Sequence, residues 1–200
     1  DNEPTGEVEG DVDNDGGTVT NGGTIGGDVG NSGEGGSFTN EDGGTIEGDV
    51  DNDDGGTFDN QDGGTVKGDV TTDGGGVTNG GTVKGGVTVT GGGSFDNEDG
   101  GTVEGDAEVD DGTFDNEGTV KGDVTYIPPS GNVTGDGEID GTVSPEEFIV
   151  DLHGTIDPGA DNKINAGDQI IYTMTVTNKT IEELDFANGA IDLLNAEVYN

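Results

Sequence analysis

The 200-residue chain has no cysteine, no tryptophan and no arginine. Without cysteine there is no disulfide framework, no redox compartment to read, and no thiolate for catalysis or metal binding. Basic residues are nearly missing as well: five lysines (67, 84, 121, 163 and 179) face 45 Asp and Glu, for a formal charge of −40. Nucleic acid and anionic membranes repel such a surface, so neither is an expected partner, whereas cations are. No apolar run approaches spanning length, so direct membrane insertion is not expected. The first residues, DNEPTG, hold neither an initiator Met nor a signal-like apolar stretch, which reads as a processed protein or a piece of a longer one.

Apolar residues make up only 26% of the chain, and low hydrophobicity with high charge is the usual signature of disorder, because too little surface is buried to offset the ordering entropy. Here the few apolar residues recur at fixed positions. A heptapeptide, phrase A, occurs eight times, from GEVEGDV (6–12) through GTIEGDV (44–50) to GEIDGTV (137–143). Between successive copies lies a hexapeptide, phrase B, seen seven times, as in GGTVTN (16–21), GGTFDN (55–60) and GGSFDN (92–97). Successive A phrases are 17, 21, 20, 17, 20, 17 and 19 residues apart, and all of that variation falls in the joints between phrases. Fixed segments with elastic connections suit a coiled stack, whose strands keep register while its corners bulge into solvent.

Each phrase alternates as a strand does. In 44–50, Ile46, Gly48 and Val50 share one face and Thr45, Glu47 and Asp49 the other; in 55–60, Phe58 and Asn60 point inward. About three large apolar side chains per coil cannot form a core alone, but they can in a continuous column. The expected fold is therefore all-β: a parallel β-solenoid of about eight coils over 6–143, thin and acidic, followed by a second domain over 144–200. Asn recurs at the end of phrase B as Asn21, Asn40, Asn60, Asn79, Asn97 and Asn116, the arrangement an inward amide ladder needs; a simple turn preference for Asn is the competing reading.

The A and B phrases resemble the parallel β-helices of microbial surface adhesins and autotransporter passengers, whose repeats read like NxGTIxGxV, and phrase A is similar to the rungs of bactofilins, solenoids that polymerise end to end. After residue 143 the composition becomes ordinary. NAGDQIIYTMTVTN (165–178) alternates strongly and resembles the first half of an immunoglobulin-like repeat of large bacterial and archaeal surface proteins. The resemblance implies a β-sandwich outside the cell, at the surface or beyond it. The stretch 180–200 would supply one or two further strands, and the sandwich would be completed by chain beyond it or by a neighbouring subunit.

Candidate sites arise from the carboxylates. Asp49 recurs in phrase A as Asp11, Asp28, Asp69, Asp106 and Asp123; two carboxylates stacked about 4.8 Å apart in water repel by about 0.9 kcal/mol, so such a column calls for salt or bound cations. DVDNDG (11–16) has the Asp-x-Asp-x-Asp-Gly spacing of calcium loops, and DVDNDD (49–54) nearly so. The candidate metal ligands are thus Asp11, Asp13, Asp15, Asp49, Asp51 and Asp53, with calcium as the ion; the alternative is a solvated acidic face adapted to high salt. NVTGDGEIDG (132–141) resembles an EF-hand loop, but it aligns with phrases B and A and has Val143 where the loop needs Glu.

No catalytic role is expected: the carboxylates are many and none is singled out, and His153, the only histidine, has no nucleophile beside it in sequence. Ice binding through a Thr-x-Thr row starts at Thr18 and Thr20 but is broken by charge, as at Thr57 and Asp59. Sequons at Asn132 and Asn178 permit glycans. The chain reads as an extracellular structural protein, a self-associating filament subunit built by solenoid stacking or strand exchange, or else the stalk or binding module of an adhesin.

Overall fold

The EGD at the centre of GTIEGDV decides how each turn is built. The computed structural model, which describes residues 1–145, 148–157 and 169–178, bends phrase A there. Thr45–Ile46 forms one strand, residues 47–49 turn a corner, and Val50–Asp53 forms the next, with Thr57–Asn60 of phrase B as the third. Phrase A is therefore two strands, not the single one its alternation suggests. The physical reason is the turn beneath: a Cβ at Gly48 would collide with the Asp28 carboxylate and with the carbonyl of Gly27. Only glycine lets this corner lie so close to its neighbour.

Repetition of the three-strand turn gives three parallel sheets that run the length of the solenoid. Two have eight strands and the third, made of the B phrases, has seven, so the chain completes about seven turns, or roughly 34 Å at the inter-strand spacing. Register is kept without slippage: Ile46 pairs with Ile25 and Val66, Val50 with Val29 and Val70, Phe58 with Phe38 and Val77. The joint after phrase A is also not a loop throughout. Its first residues, such as Asp51, Asn52 and Asp53, belong to the second strand, and bulging is confined to the residues beyond that strand.

The core is three columns of side chains, one per sheet. Ile46, Val50 and Phe58 are each no more than 1% exposed, and Phe38 stacks on Phe58 with ring centroids 5.5 Å apart. At the ends cover thins: Val8, Val12, Val19, Val133 and Ile139 are only partly buried and Val143 is 50% exposed.

The expected amide ladder is present and longer than the phrases indicate. Each Nδ2 donates to the Oδ1 of the Asn one turn on, from Asn2 through Asn21, Asn40, Asn60, Asn79 and Asn97 to Asn116, at 2.7–2.8 Å. Every member from Asn21 onward is buried. A second ladder, Asn14 to Asn31 to Asn52, lies in the second sheet at 2.7 and 2.6 Å. Buried amides are tolerated because both ends are bonded.

Residues from Glu147 onward form a separate compact unit. Within it, Phe148–Asp157 pairs antiparallel with Gln169–Asn178, placing His153 opposite Thr173 in a strand. The strand expected at the alternating stretch is thus present. Residues 180–200, where the sequence suggests further sandwich strands, lie outside the described residues.

Asn60→Ala removes the acceptor for Asn40 and the donor to Asn79, leaving buried polar groups unpaired. It is expected to cost about 2–4 kcal/mol, against less than about 0.5 for exposed Gln61→Ala, measured by chemical denaturation.

Candidate functional site

The corner between the first two sheets carries the recurring carboxylate. Its formation depends on the Gly-Asp pair: the glycine brings the corner down onto the turn below, and there the lower Asp side chain meets a backbone amide. Asp11 Oδ1 accepts from the Asp28 N–H at 2.9 Å, Asp28 from Asp49 at 2.9 Å, and Asp49 from Asp69 at 2.8 Å. Asp69 accepts from Gly86, Asp106 from Asp123, and Asp123 from Thr142, all at 2.7–2.8 Å. The same corner residue gives its carbonyl to the valine amide below, as Asp69 does to Val50 at 2.9 Å. Each aspartate therefore staples its turn to the next. Each such bond is a charge-assisted contact between successive turns.

The candidate metal ligands separate into two kinds. Asp11 and Asp49 are staples. Asp13 and Asp15 point outward from the strand Val12–Asp15, on either side of buried Asn14; Asp51 and Asp53 flank buried Asn52 in the same way. An extended strand separates such i, i+2 residues by about 6.6 Å and does not wrap them around a point. Asp53 instead falls in register with Asp73. Among the described residues no group of three or more His, Cys, Asp or Glu side chains is placed to hold a metal ion.

Proton affinity is shifted in opposite directions at Asp53 and at Asp123. Burial, then the charges of Asp51, Asp73 and Asp54, push the Asp53 carboxyl above its ordinary value. Hydrogen bonds from the amide and hydroxyl of Thr142 hold Asp123 below it. Lys67, Lys84 and Lys121 lie on the outward row beside the staples: Lys67 bonds Glu47 at 2.7 Å and Lys121 bonds Glu104 at 2.9 Å. Both pairs are exposed, so each contributes little.

The staples and the second ladder are not foreseen from sequence. Asn14, Asn31 and Asn52 hold one position, two residues past the valine that closes phrase A, and that constancy is the signal that marks them. The staple has a signal too, the recurring order Gly then Asp, but its meaning depends on which amide the turn leaves free.

No protein-family model, curated protein or solved structure matches the chain.

Because the repulsion is exposed, it is screened. The thermal midpoint is expected to rise as NaCl is raised from about 0.01 M to about 1 M, where the screening length falls from about 30 Å to about 3 Å. Ionised Asp53, with a raised folded-state pKa, opposes folding at neutral pH, and that opposition is lost as the pH falls through its folded value; the Asp123 contribution, with a depressed pKa, persists until lower pH. Asp53→Asn should raise the midpoint by about 2 °C at neutral pH, with the gain shrinking as the pH is lowered through the carboxylate range.

Proposed function

We propose that the protein is an extracellular structural element, a subunit of a surface filament or fibre assembled by solenoid stacking, by strand exchange between subunits, or by both. The observation that carries this reading is the continuity of three parallel backbone ladders along the solenoid, with an amide ladder running from Asn2 to Asn116. Every turn is held to its neighbours by bonds directed along the axis, so load applied along the rod is shared among sheets. A terminal turn offers the next its unpaired strand groups, and one coil accepts another by the pairing that joins coils within the chain.

The acidic exterior sets the conditions for assembly. Like charge keeps rods apart and soluble, and cations, calcium among them, draw them together by screening and bridging. The antiparallel pair Phe148–Asp157 and Gln169–Asn178 would then belong to an immunoglobulin-like surface module, the part suited to strand exchange. The second reading, a stalk that displays this module as an adhesin, is favoured by the resemblance of 165–178 to repeats of large surface proteins.

Electron microscopy and light scattering of purified protein in molar salt with calcium test the proposal. Regular homopolymeric fibres are expected, and protein that stays monomeric under these conditions rules out self-assembly; in native material, isolated rods on larger surface proteins favour the stalk.

A further inference from the structure

The columns that run along the solenoid are interrupted, and the interruptions fall within three successive turns. The phenylalanine column reads Val19, Phe38, Phe58, Val77, Phe95, Phe114, Val133. Its aromatic stacks therefore form two separate pairs, Phe38 with Phe58 and Phe95 with Phe114, the latter 5.2 Å apart and nearly parallel at 5°. Val77 stands between them.

The second amide ladder stops at the same turn. Asn52 is followed in register by Thr72, whose buried Oγ1 has no hydrogen-bond partner. Above it the column turns apolar with Val89 and Val109. On the outward lysine row, Lys67 is followed one turn on by Lys84: like charges meet where the turns on either side have ion pairs, and Lys84 has none among the described residues.

The staple column breaks one step later. Gly86 occupies the aspartate position, so no side chain reaches up from it to the amide of Asp106. Directly above Val87 the core column narrows to Ala107 before widening again at Val124. A surface notch of about 340 Å³ lies at this point, lined by Asp69, Gly86, Val87, Asp106, Ala107 and Asp123 among others. From Asn60 to Asn97 the backbone ladders, the first amide ladder, the Ile/Val columns and the staples from Asp49 and Asp69 run on, while the second amide ladder and the aromatic stack do not.

We propose that Val70–Val89 forms a built-in yielding joint, where the solenoid opens locally before either flank unfolds. In a stack held by nearest-neighbour interfaces, opening starts at the weakest interface. Each flank keeps its own stacked Phe pair and about three turns, the smallest number that supports such a stack. A rod of this kind yields in the middle and recloses on preformed halves, without unravelling from its ends. The joint belongs to the solenoid itself and holds whether or not the protein forms filaments.

Hydrogen exchange of the full chain in molar salt, read by mass spectrometry, tests it. A uniform stack frays from both ends and is most protected at its centre. The joint gives two maxima of protection, around Phe38–Phe58 and around Phe95–Phe114, with a minimum over Val70–Val89 where amides exchange at least about fivefold faster. Thr72→Val removes the unpaired hydroxyl without changing its shape. It is expected to slow exchange over Val70–Val89 by about fivefold while leaving Val29–Phe38 unchanged. A single maximum centred on Val70–Val89 in the wild-type chain overturns the proposal on its own, and so does a minimum that Thr72→Val leaves untouched.

Discussion

A single turn of this chain cannot fold. It contributes one Ile or Val from each of two short strands and one Phe or Val from the third, and nothing within the turn covers them. In-register stacking on the turns above and below is the constraint on which the rest depends: it buries Ile46, Val50 and Phe58 almost completely and closes each backbone ladder. It also fixes residue choice at positions that never touch the core. A shift of one residue would turn Asn60 and Phe58 outward together, so the hydrogen-bonded amide and the apolar column enforce the same register.

The acidic surface is also organised by stacking. A column of carboxylates repeating at the inter-strand spacing is unfavourable as a set of isolated charges. In the structure each Asp of that column instead takes an amide from the turn above it. Glycine and aspartate at the corner form a coupled pair, since glycine clears the space into which the lower carboxylate reaches. Outside the column Asp53 is set by its surroundings: burial, then the charges of Asp51, Asp73 and Asp54, outweigh a backbone hydrogen bond at Asp73, and the carboxyl resists ionisation. The staples show how a chain of charge −40 accommodates a stacked acidic column within a regular fold.

Much of this architecture was legible in the sequence, because a stacked repeat writes its register as spacing. The constant phrases, the inward Phe58 and Asn60, and the ladder from Asn21 to Asn116 could all be read from alternation and recurrence. The bend in phrase A could not. Ile46, Gly48 and Val50 fit a flat strand equally well, and the decision belongs to Gly27 and Asp28 one turn away. Asn14, Asn31 and Asn52 escaped notice because they sit beside joints of varying length, and Asp13 and Asp15 suggested a loop where the chain runs extended. In each case the missing information was a contact 17 to 21 residues distant, invisible to a reading of local pattern.

Cross-linking between turns tests the stacking most directly, and the absence of native cysteine gives a clean background. Thr45 and Thr65 lie 20 residues apart yet occupy the same outward row in register, within the span a disulfide accepts. Thr57 and Thr65 are only eight residues apart but belong to different sheets. Under mild oxidation, Thr45→Cys/Thr65→Cys is expected to close an intramolecular disulfide while Thr57→Cys/Thr65→Cys stays reduced. Closure of the second pair with the first left open would contradict the stacked solenoid.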